Sequence, residues 1–152
     1  MSEELDTVNV LGRVSRQIVG LTAQTLSGHR STVTIPQFRT LVVLYERPGI
    51  TPAELTPVLQ TSQPATSKMV RLLIDRGLIK AGRDGTDGRR RPLTLTDQGS
   101  ALVRTVGEKR ARKFAEMVKR LSDEEQKALR SGLEVLESGL GSILVSATPA
   151  AD

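Results

Sequence analysis

The chain has 152 residues, enough for one domain with a sizeable core, and a formal net charge of +5. Hydrophobic residues make up 38% of it, and Phe38, Tyr45 and Phe114 are its aromatic residues. The core must therefore be mostly Leu, Val, Ile and Ala, which favours packed helices. The absence of cysteine and the single histidine, His29, exclude disulfides and thiolate sites and leave little for zinc. We expect neither a metal nor a cofactor.

No sequence pattern typical of an enzyme or a membrane protein is present. A Ser-His-Asp set, a paired-acid motif, a Walker loop and a dinucleotide fingerprint are all missing. We interpret His29 as a surface or pocket-rim residue rather than a base. Acidic residues stand at positions 3, 4 and 6, where a signal peptide would be basic, and no apolar run approaches about 18 residues. We expect a cytoplasmic protein that is not an enzyme and does not enter a membrane.

The positive charge is concentrated in one stretch of the chain. Between Ser62 and Arg91, eight basic residues stand among three acidic ones, a net of +5, while the remaining residues sum to zero. An ordinary solvated surface would scatter its charges more evenly. The stretch therefore indicates contact with a polyanion.

A helical pattern opens the chain and ends at the breaker segment 27–31. Within it, Leu11, Val14 and Ile18 recur at intervals of three and four residues. This spacing forms the narrow apolar stripe of a helix that packs against other helices. We predict an N-terminal dimerisation helix in region 1–31.

Three short helices follow, each with a clear start signal. Two starts are capping boxes, in which a threonine precedes a Gln or Glu by three residues, and the third is a serine before a proline. The starts are Thr34 with Gln37, Thr51 with Glu54, and Ser62. Gly77 is a natural stop for the third helix.

A hairpin is predicted after the third helix. Residues 78–81 and 92–95 are short extended candidates, and the segment 82–91 between them is rich in turn residues and arginine. The sequence therefore predicts a two-stranded wing with a basic tip.

Two long helices close the predicted structure, capped at Thr96 and at the Ser122–Glu125 capping box. The last helix carries apolar residues at intervals of three and four, and those assigned to its seam are Leu133, Leu136, Leu140 and Ile143. We predict C-terminal dimerisation helices in region 96–146 and a disordered tail in 147–152. The two terminal seams could pair within one monomer as a bundle, or interlock with a second copy. The small middle domain favours the homodimer.

Three closely spaced helices followed by a basic hairpin are typical of a winged helix-turn-helix. We predict a mainly α (α+β) fold, with a DNA-binding lobe in 32–95 and an all-helical dimerisation region from both chain ends. Gln63 can pair with adenine, Lys68 with guanine or a phosphate, and Arg71 with the backbone. The candidate DNA-contacting residues are Ser62, Gln63, Thr66, Ser67, Lys68, Arg71, Arg83, Asp87, Arg89, Arg90 and Arg91.

These features carry a family resemblance. From about Val8 to Val145 the chain resembles the MarR family of bacterial regulators. The most specific match is in the wing, where the family's D-x-R, five residues, L-T-x-x-G pattern is met by Asp87, Arg89, Leu95, Thr96 and Gly99. The stretches 35–38, 51–55 and 75–79 also resemble the family's sequence around its recognition helix.

The resemblance implies a homodimer that binds a near-palindromic duplex DNA site, with Asp87 ordering the wing and Arg89 entering the minor groove. It also implies a repressor that is released by a small effector, frequently aromatic and anionic, bound between the dimer helices and the DNA-binding lobe.

The chain departs from the family pattern near the recognition helix. Pro57 predicts an early end or a kink in the second short helix, and Gln60 replaces a glycine usual at the turn. Arg71 stands where an aspartate is common, and Leu72 where an arginine is common. The same basic stretch would also serve an architectural or weakly specific DNA-binding protein without an effector, and the ratio of specific to non-specific affinity separates the two hypotheses.

Overall fold

The computed structural model describes residues 2–27, 33–82 and 91–146, without the side chains of Ser2 and of 142–146. His29 and the tail 147–152 lie outside these residues. The elements, in chain order, are α1 (Ser2–Ser27), α2 (Ile35–Glu46), α3 (Pro52–Leu59), α4 (Gln63–Asp75), β1 (Ile79–Ala81), β2 (Leu93–Leu95), α5 (Asp97–Val118) and α6 (Asp123–Ser146). This order confirms the predicted mainly helical winged architecture.

The chain divides into two compact units, Met1–Arg110 and Ala111–Asp152. The first unit contains the whole helix-turn-helix lobe together with α1 and the first part of α5. It extends beyond 32–95 because α1 and α5 each bury side chains in it, namely Leu26 from α1 and Leu102, Val103 and Val106 from α5. The second unit holds the end of α5 and all of α6.

The short helices begin where the capping boxes predicted. The Thr34 side chain accepts a hydrogen bond from the Gln37 backbone N–H, and the Gln37 side chain accepts one from the Thr34 N–H. Thr51 and Glu54 make the same reciprocal pair at the start of α3. Each box satisfies two backbone groups that the first helical turn leaves free.

The core of the first unit is mainly aliphatic, as the composition predicted, with Phe38 as its one aromatic member among the described residues. Leu41 and Leu44 of α2, Leu55 of α3 and Leu73 of α4 are at most 1% exposed, and they pack with the strand residues Leu78, Ile79 and Leu93 in one cluster. Since this cluster lies behind α4, the buried face of that helix is fixed and its other face is left to solvent.

Strands β1 and β2 pair antiparallel, with Ile79 opposite Leu95. The loop before α3 also joins this sheet, because the Gly49 N–H donates to the Leu93 carbonyl (2.9 Å) and the Leu93 N–H donates to the Ile50 carbonyl (3.0 Å). The base of the wing is therefore hydrogen-bonded directly to the entrance of the helix-turn-helix.

A second junction ties the wing to α5. The Thr96 hydroxyl donates to the Gly77 carbonyl (2.7 Å) and accepts from the Gly99 N–H (3.1 Å), while the Thr96 N–H donates to the Leu78 carbonyl (3.1 Å). Gly77 ends α4 with a φ of +69°, which favours glycine. At Gly99, a Cβ atom would overlap the Leu78 carbonyl oxygen, so only glycine permits this approach.

Helix α6 begins at a capping box in the second unit. The Ser122 N–H donates to the Glu125 carboxylate (2.8 Å), and the Glu125 N–H donates to the Ser122 hydroxyl (3.3 Å). Hydrogen bonding with the Ser122 backbone, and then with its side chain, lowers the pKa of Glu125.

Among the residues that the structure describes, neither a membrane span nor a metal-binding cluster is present. None of the helices there is long and apolar enough to cross a membrane. No group of three or more His, Cys, Asp or Glu side chains there is arranged to hold a metal ion.

We predict that Gly99→Ala destabilises the chain by about 2 kcal/mol, because the added methyl group must displace a buried backbone carbonyl. Gly107→Ala is the matched control in the same helix, since its Cβ would meet nothing within 4 Å, and it should stabilise α5 by about 1 kcal/mol. Urea unfolding measures both. Equal effects of the two substitutions would show that the close approach at Gly99 is absent in solution.

Candidate nucleic-acid interface

Helix α4 presents a polar face to solvent at its N-terminal end. Ser62 caps it, with its hydroxyl accepting from the Ala65 N–H (3.4 Å), and a proline stands in the first turn. Thr66, Val70 and Leu73 form the buried face. The cap and the three buried residues therefore fix which side chains of the helix point outward.

Most of the predicted contact residues of α4 lie on that exposed face. Ser62, Gln63, Ser67, Lys68 and Arg71 are all exposed. They supply amide, hydroxyl, ammonium and guanidinium groups, which are the donors and acceptors that read base edges and bind phosphates.

The inclusion of Thr66 among the contact residues was wrong. Its side chain is 1% exposed, and its hydroxyl is hydrogen-bonded to the Thr61 hydroxyl at 2.8 Å. Thr66 therefore stabilises the turn into α4 from inside. The spacing signal was available, since Thr66 lies four residues before Val70 and seven before Leu73 on the buried face.

The turn between α3 and α4 is tight and uses a non-glycine residue in the left-handed region. Gln60 has φ 54° and ψ 45°, which explains why glycine is favoured there. Helix α3 does not end at Pro57 but continues to Leu59. The proline lacks only one N–H donor, and the helix is so short that few of its hydrogen bonds depend on that position.

Helix α2 holds the helix-turn-helix from behind. The Arg39 guanidinium donates to the Val58 carbonyl at the end of α3 (3.2 Å), and the Arg76 guanidinium donates to the Gln37 side chain (3.2 Å). Both ends of the α3–α4 pair are therefore hydrogen-bonded to α2. No local sequence pattern marks these arginines as positioning residues, because each contacts a residue 19 or 39 positions away.

Arg91, at the base of the wing, is exposed and lies beside α4. It lines a groove of about 340 Å³ together with Ser67, Val70, Arg71, Ile74 and Leu93. The structure thus brings together three predicted contact residues, Ser67, Arg71 and Arg91, around a largely apolar floor. Arg83, Asp87, Arg89 and Arg90 lie outside the described residues, so their predicted roles stay predictions.

Charge alone does not single out this surface. A second basic stretch between Arg104 and Arg120 in and after α5 contains seven basic and two acidic residues, and the acidic residues near both chain ends balance it in the sum. What distinguishes the helix-turn-helix is the combination of basic residues with an exposed helix face and an adjacent hairpin.

The predicted dimerisation residues of α1 and α6 are largely uncovered. Leu11, Val14 and Ile18 of α1 are 39–41% exposed, and Leu133 and Leu140 of α6 are 52% and 47% exposed. Leu136 is half-buried, and none of the α6 side chains described between Asp123 and Gly141 is buried. The side chain of Ile143 lies outside the description. Both helices therefore expose an apolar face within a single chain.

The chain is similar to known proteins in both sequence and structure. A model of the MarR family matches residues 31–90. The HTH-type transcriptional repressor Rv2887 of Mycobacterium tuberculosis is 30% identical over 106 residues, which cover 70% of this chain and 76% of that protein. The sequence match therefore extends well beyond the helix-turn-helix.

Solved structures agree with the sequence match. The crystal structure of RV1404 from Mycobacterium tuberculosis has a TM-score of 0.80 at 31% identity, covering 86% of this chain and 90% of that chain. A variant of S. aureus MepR bound to an oligodeoxyribonucleotide has a TM-score of 0.67 at 26% identity, covering 88% and 97%. MepR bound to ethidium bromide has a TM-score of 0.65 at 27% identity, covering 88% and 95%.

Proposed function

This chain belongs to the MarR family of transcriptional regulators, and we propose that it is a cytoplasmic, homodimeric repressor that binds a near-palindromic DNA site and is released by a small molecule. It acts by binding rather than by catalysis. The exposed polar face of α4, fixed by a buried opposite face and flanked by the base of the wing, is the observation that carries this proposal.

In the proposed complex, α4 enters the major groove with its N-terminal end foremost. Gln63 meets base edges there, Lys68 donates to an adjacent phosphate, and Ser67 adds a short donor and acceptor. Arg71 lies further along the helix beside Arg91 in the same groove lining, which suits both guanidinium groups to the phosphates that flank the contacted bases.

The wing completes the DNA contact in this proposal. The resemblance assigns Arg89 to the minor groove and Asp87 to the ordering of the wing, and Arg83 and Arg90 add positive charge nearby. The anchored base of the hairpin supports the proposal because Leu93 is hydrogen-bonded to Gly49 and Ile50, just before the start of α3.

The homodimer is supported by apolar surface that a monomer would leave in water. Seven apolar residues of α1 are at least 39% exposed, namely Leu5, Val8, Val10, Leu11, Val14, Ile18 and Val19. In α6, Leu133 and Leu140 are about half exposed. Exposed apolar faces of this length are typical of interfaces, and a twofold dimer places two copies of α4 on successive turns of the duplex.

The small-molecule part of the proposal is supported by the groove beside α4, which lies within the DNA-binding lobe and not between that lobe and the dimer helices, where the resemblance implies an effector. Its volume of about 340 Å³ lies at the lower end of the range for small-ligand pockets. Val70, Ile74 and Leu93 give it an apolar wall, and Arg71 and Arg91 give it positive charge. An aromatic anion bound there would compete directly with DNA for the two arginines.

We expect DNA binding to depend steeply on salt and on Lys68. If each subunit neutralises about four phosphates, the plot of log K against log salt concentration should have a slope of roughly −7, and Lys68→Ala should reduce it by about 2 in the dimer. Lys127→Ala, in α6, is the matched control and should leave the slope unchanged. Fluorescence anisotropy on a genomic fragment selected for binding measures all three, and a slope shallower than about −2 for the unaltered protein would contradict the proposal.

The same assay distinguishes a specific regulator from an architectural protein. At one stated salt concentration, the selected fragment should bind about a thousandfold more tightly than random duplex. A ratio near one would favour the architectural alternative.

The seam of α6 should be essential for the dimer. Leu140→Asp places a charge in a surface that the proposed dimer buries, and we expect it to yield monomers in sedimentation equilibrium. Val135→Asp is the control, since Val135 is 74% exposed and lies on the other side of the same helix. A dimer that survives Leu140→Asp would show that this part of α6 is not at the interface.

We expect millimolar benzoate to raise the melting temperature of the free protein and to weaken its binding to DNA, because a ligand that binds only the free form stabilises that form. Acetate at the same concentration is the control for charge and ionic strength. If benzoate and acetate act alike in both measurements, the groove does not take aromatic anions.

A further inference from the structure

The apolar seam of α6 is bordered on one edge by two opposite charges. Leu129, Leu133, Leu136 and Leu140 follow one another at intervals of four, three and four residues. In heptad notation they occupy the d, a, d and a positions. Arg130 and Glu137 then both occupy the e position, one heptad apart, and both side chains are exposed.

Neither of these charges is paired within the described part of the chain. Lys113 and Glu116 lie 3.8 Å apart as an ion pair, whereas Arg130 and Glu137 have no charged partner within 4 Å among the described residues. They instead line an open groove of about 280 Å³ whose apolar floor includes Leu129, Leu133 and Val118. Glu134 also lines this groove, so its rim is positive at Arg130 and negative towards Glu134 and Glu137.

From this pattern we infer that α6 pairs antiparallel with α6 of a second copy, in a single register set by reciprocal pairs between Arg130 and the partner's Glu137. The inference rests on the homodimer proposed above and specifies its geometry. The occupant of the groove is then the same helix of the second copy.

In this pairing, every layer of the α6 seam places a leucine against a leucine of the partner helix. In an antiparallel pair, each a residue of one helix faces a d residue of the other. With the twofold axis between Glu134 and Val135, Leu133 faces the partner's Leu136, and Leu129 faces the partner's Leu140. Four successive layers are then leucine on leucine, and the partner's Leu136 and Leu140 enter the groove over Leu129 and Leu133.

The charges select this register over its neighbours. The e edges of two antiparallel helices lie side by side, so Arg130 falls in the same interval as the partner's Glu137, and the twofold axis repeats the pair. A shift of one heptad in one direction would place Arg130 against the partner's Arg130. A shift in the other direction would place Glu137 against the partner's Glu137. Each shifted register places like charges side by side and also loses leucine layers. Charged residues at the edges of a helix pair specify its register in this way.

The opposite edge of the seam carries glycines, which have no side chain. Gly132 and Gly139 occupy its g positions, and a Cβ at either would meet nothing within 4 Å in the single chain. Two g edges that carry glycine allow the helices to approach closely, so the charged e edge supplies the specificity of the pairing.

The test uses two single charge reversals, Arg130→Glu and Glu137→Arg, on the full-length chain. Each variant alone places like charges at both symmetric sites, and we expect its dimer dissociation constant to rise at least about tenfold at low salt. Mixed together, the two variants form a heterodimer in which both sites carry opposite charges. We therefore expect the mixture to dimerise within about threefold of the unaltered protein.

Sedimentation equilibrium measures the single variants, and co-purification of an affinity-tagged variant with an untagged one measures the heterodimer. Lys127→Glu is the control, since it makes the same charge change three residues before Arg130 at a position away from the seam. Circular dichroism of each variant should show unchanged helix content.

The possible failures are distinguishable. An unaltered protein that is monomeric at tens of micromolar would overturn both the homodimer and this inference. A stable dimer that both single reversals leave intact would overturn the register alone. Weakened single variants that do not recover on mixing would overturn the antiparallel pairing, because a parallel pair or an effect within one chain gains nothing from the heterodimer.

Discussion

The close contact of Gly99 with the Leu78 carbonyl is the constraint on which the DNA-binding lobe depends. Three elements meet there: the end of α4, the first strand of the wing and the start of α5. Thr96 holds them with hydrogen bonds to Gly77, Leu78 and Gly99. A contact between backbone atoms has no rotamer freedom, so it fixes the direction of the recognition helix relative to the base of the wing more firmly than side-chain packing alone would. The L-T-x-x-G part of the family pattern is therefore explained by structure rather than by DNA contact.

The chain combines a lobe that has its own hydrophobic core with two helices, α1 and α6, whose apolar faces are exposed in the single chain. The lobe has an aliphatic core, capped helix starts and a sheet tied to the turn, whereas α1 and α6 expose apolar faces. This division suits the proposed dimeric regulator, because the DNA-contacting surface would stay rigid while its spacing from the second copy is set by the terminal helices. In the proposed dimer, a change in packing at the terminal helices would alter the spacing between the two DNA-contacting surfaces, whereas a ligand in the groove beside α4 would compete for one of those surfaces directly.

Local signals in the sequence predicted most of the fold. The capping boxes at Thr34, Thr51 and Ser122 each marked a helix start within one residue, because a cap is satisfied by atoms three residues away. Two features that the sequence did not predict depend on distant contacts: the hydrogen bond from Arg39 to the end of α3 and the packing of α5 into the first unit. The burial of Thr66, in contrast, was indicated by its spacing from Val70 and Leu73. The exposed face of α4 was predicted from the sequence, but the groove between α4 and the wing was not. That groove brings Arg71 and Arg91 together, and it forms only because the wing packs beside α4.

The central claim, that α4 lies in the major groove in two copies related by a twofold axis, can be tested with one engineered residue. The chain contains no cysteine, so Ser67→Cys would carry a DNA-cleaving reagent at a unique position on the exposed face of α4. On a genomic fragment selected for binding, two clusters of cleavage should appear, separated by about one helical turn or a multiple of it. A single cluster, or uniform cleavage along the fragment, would contradict the claim.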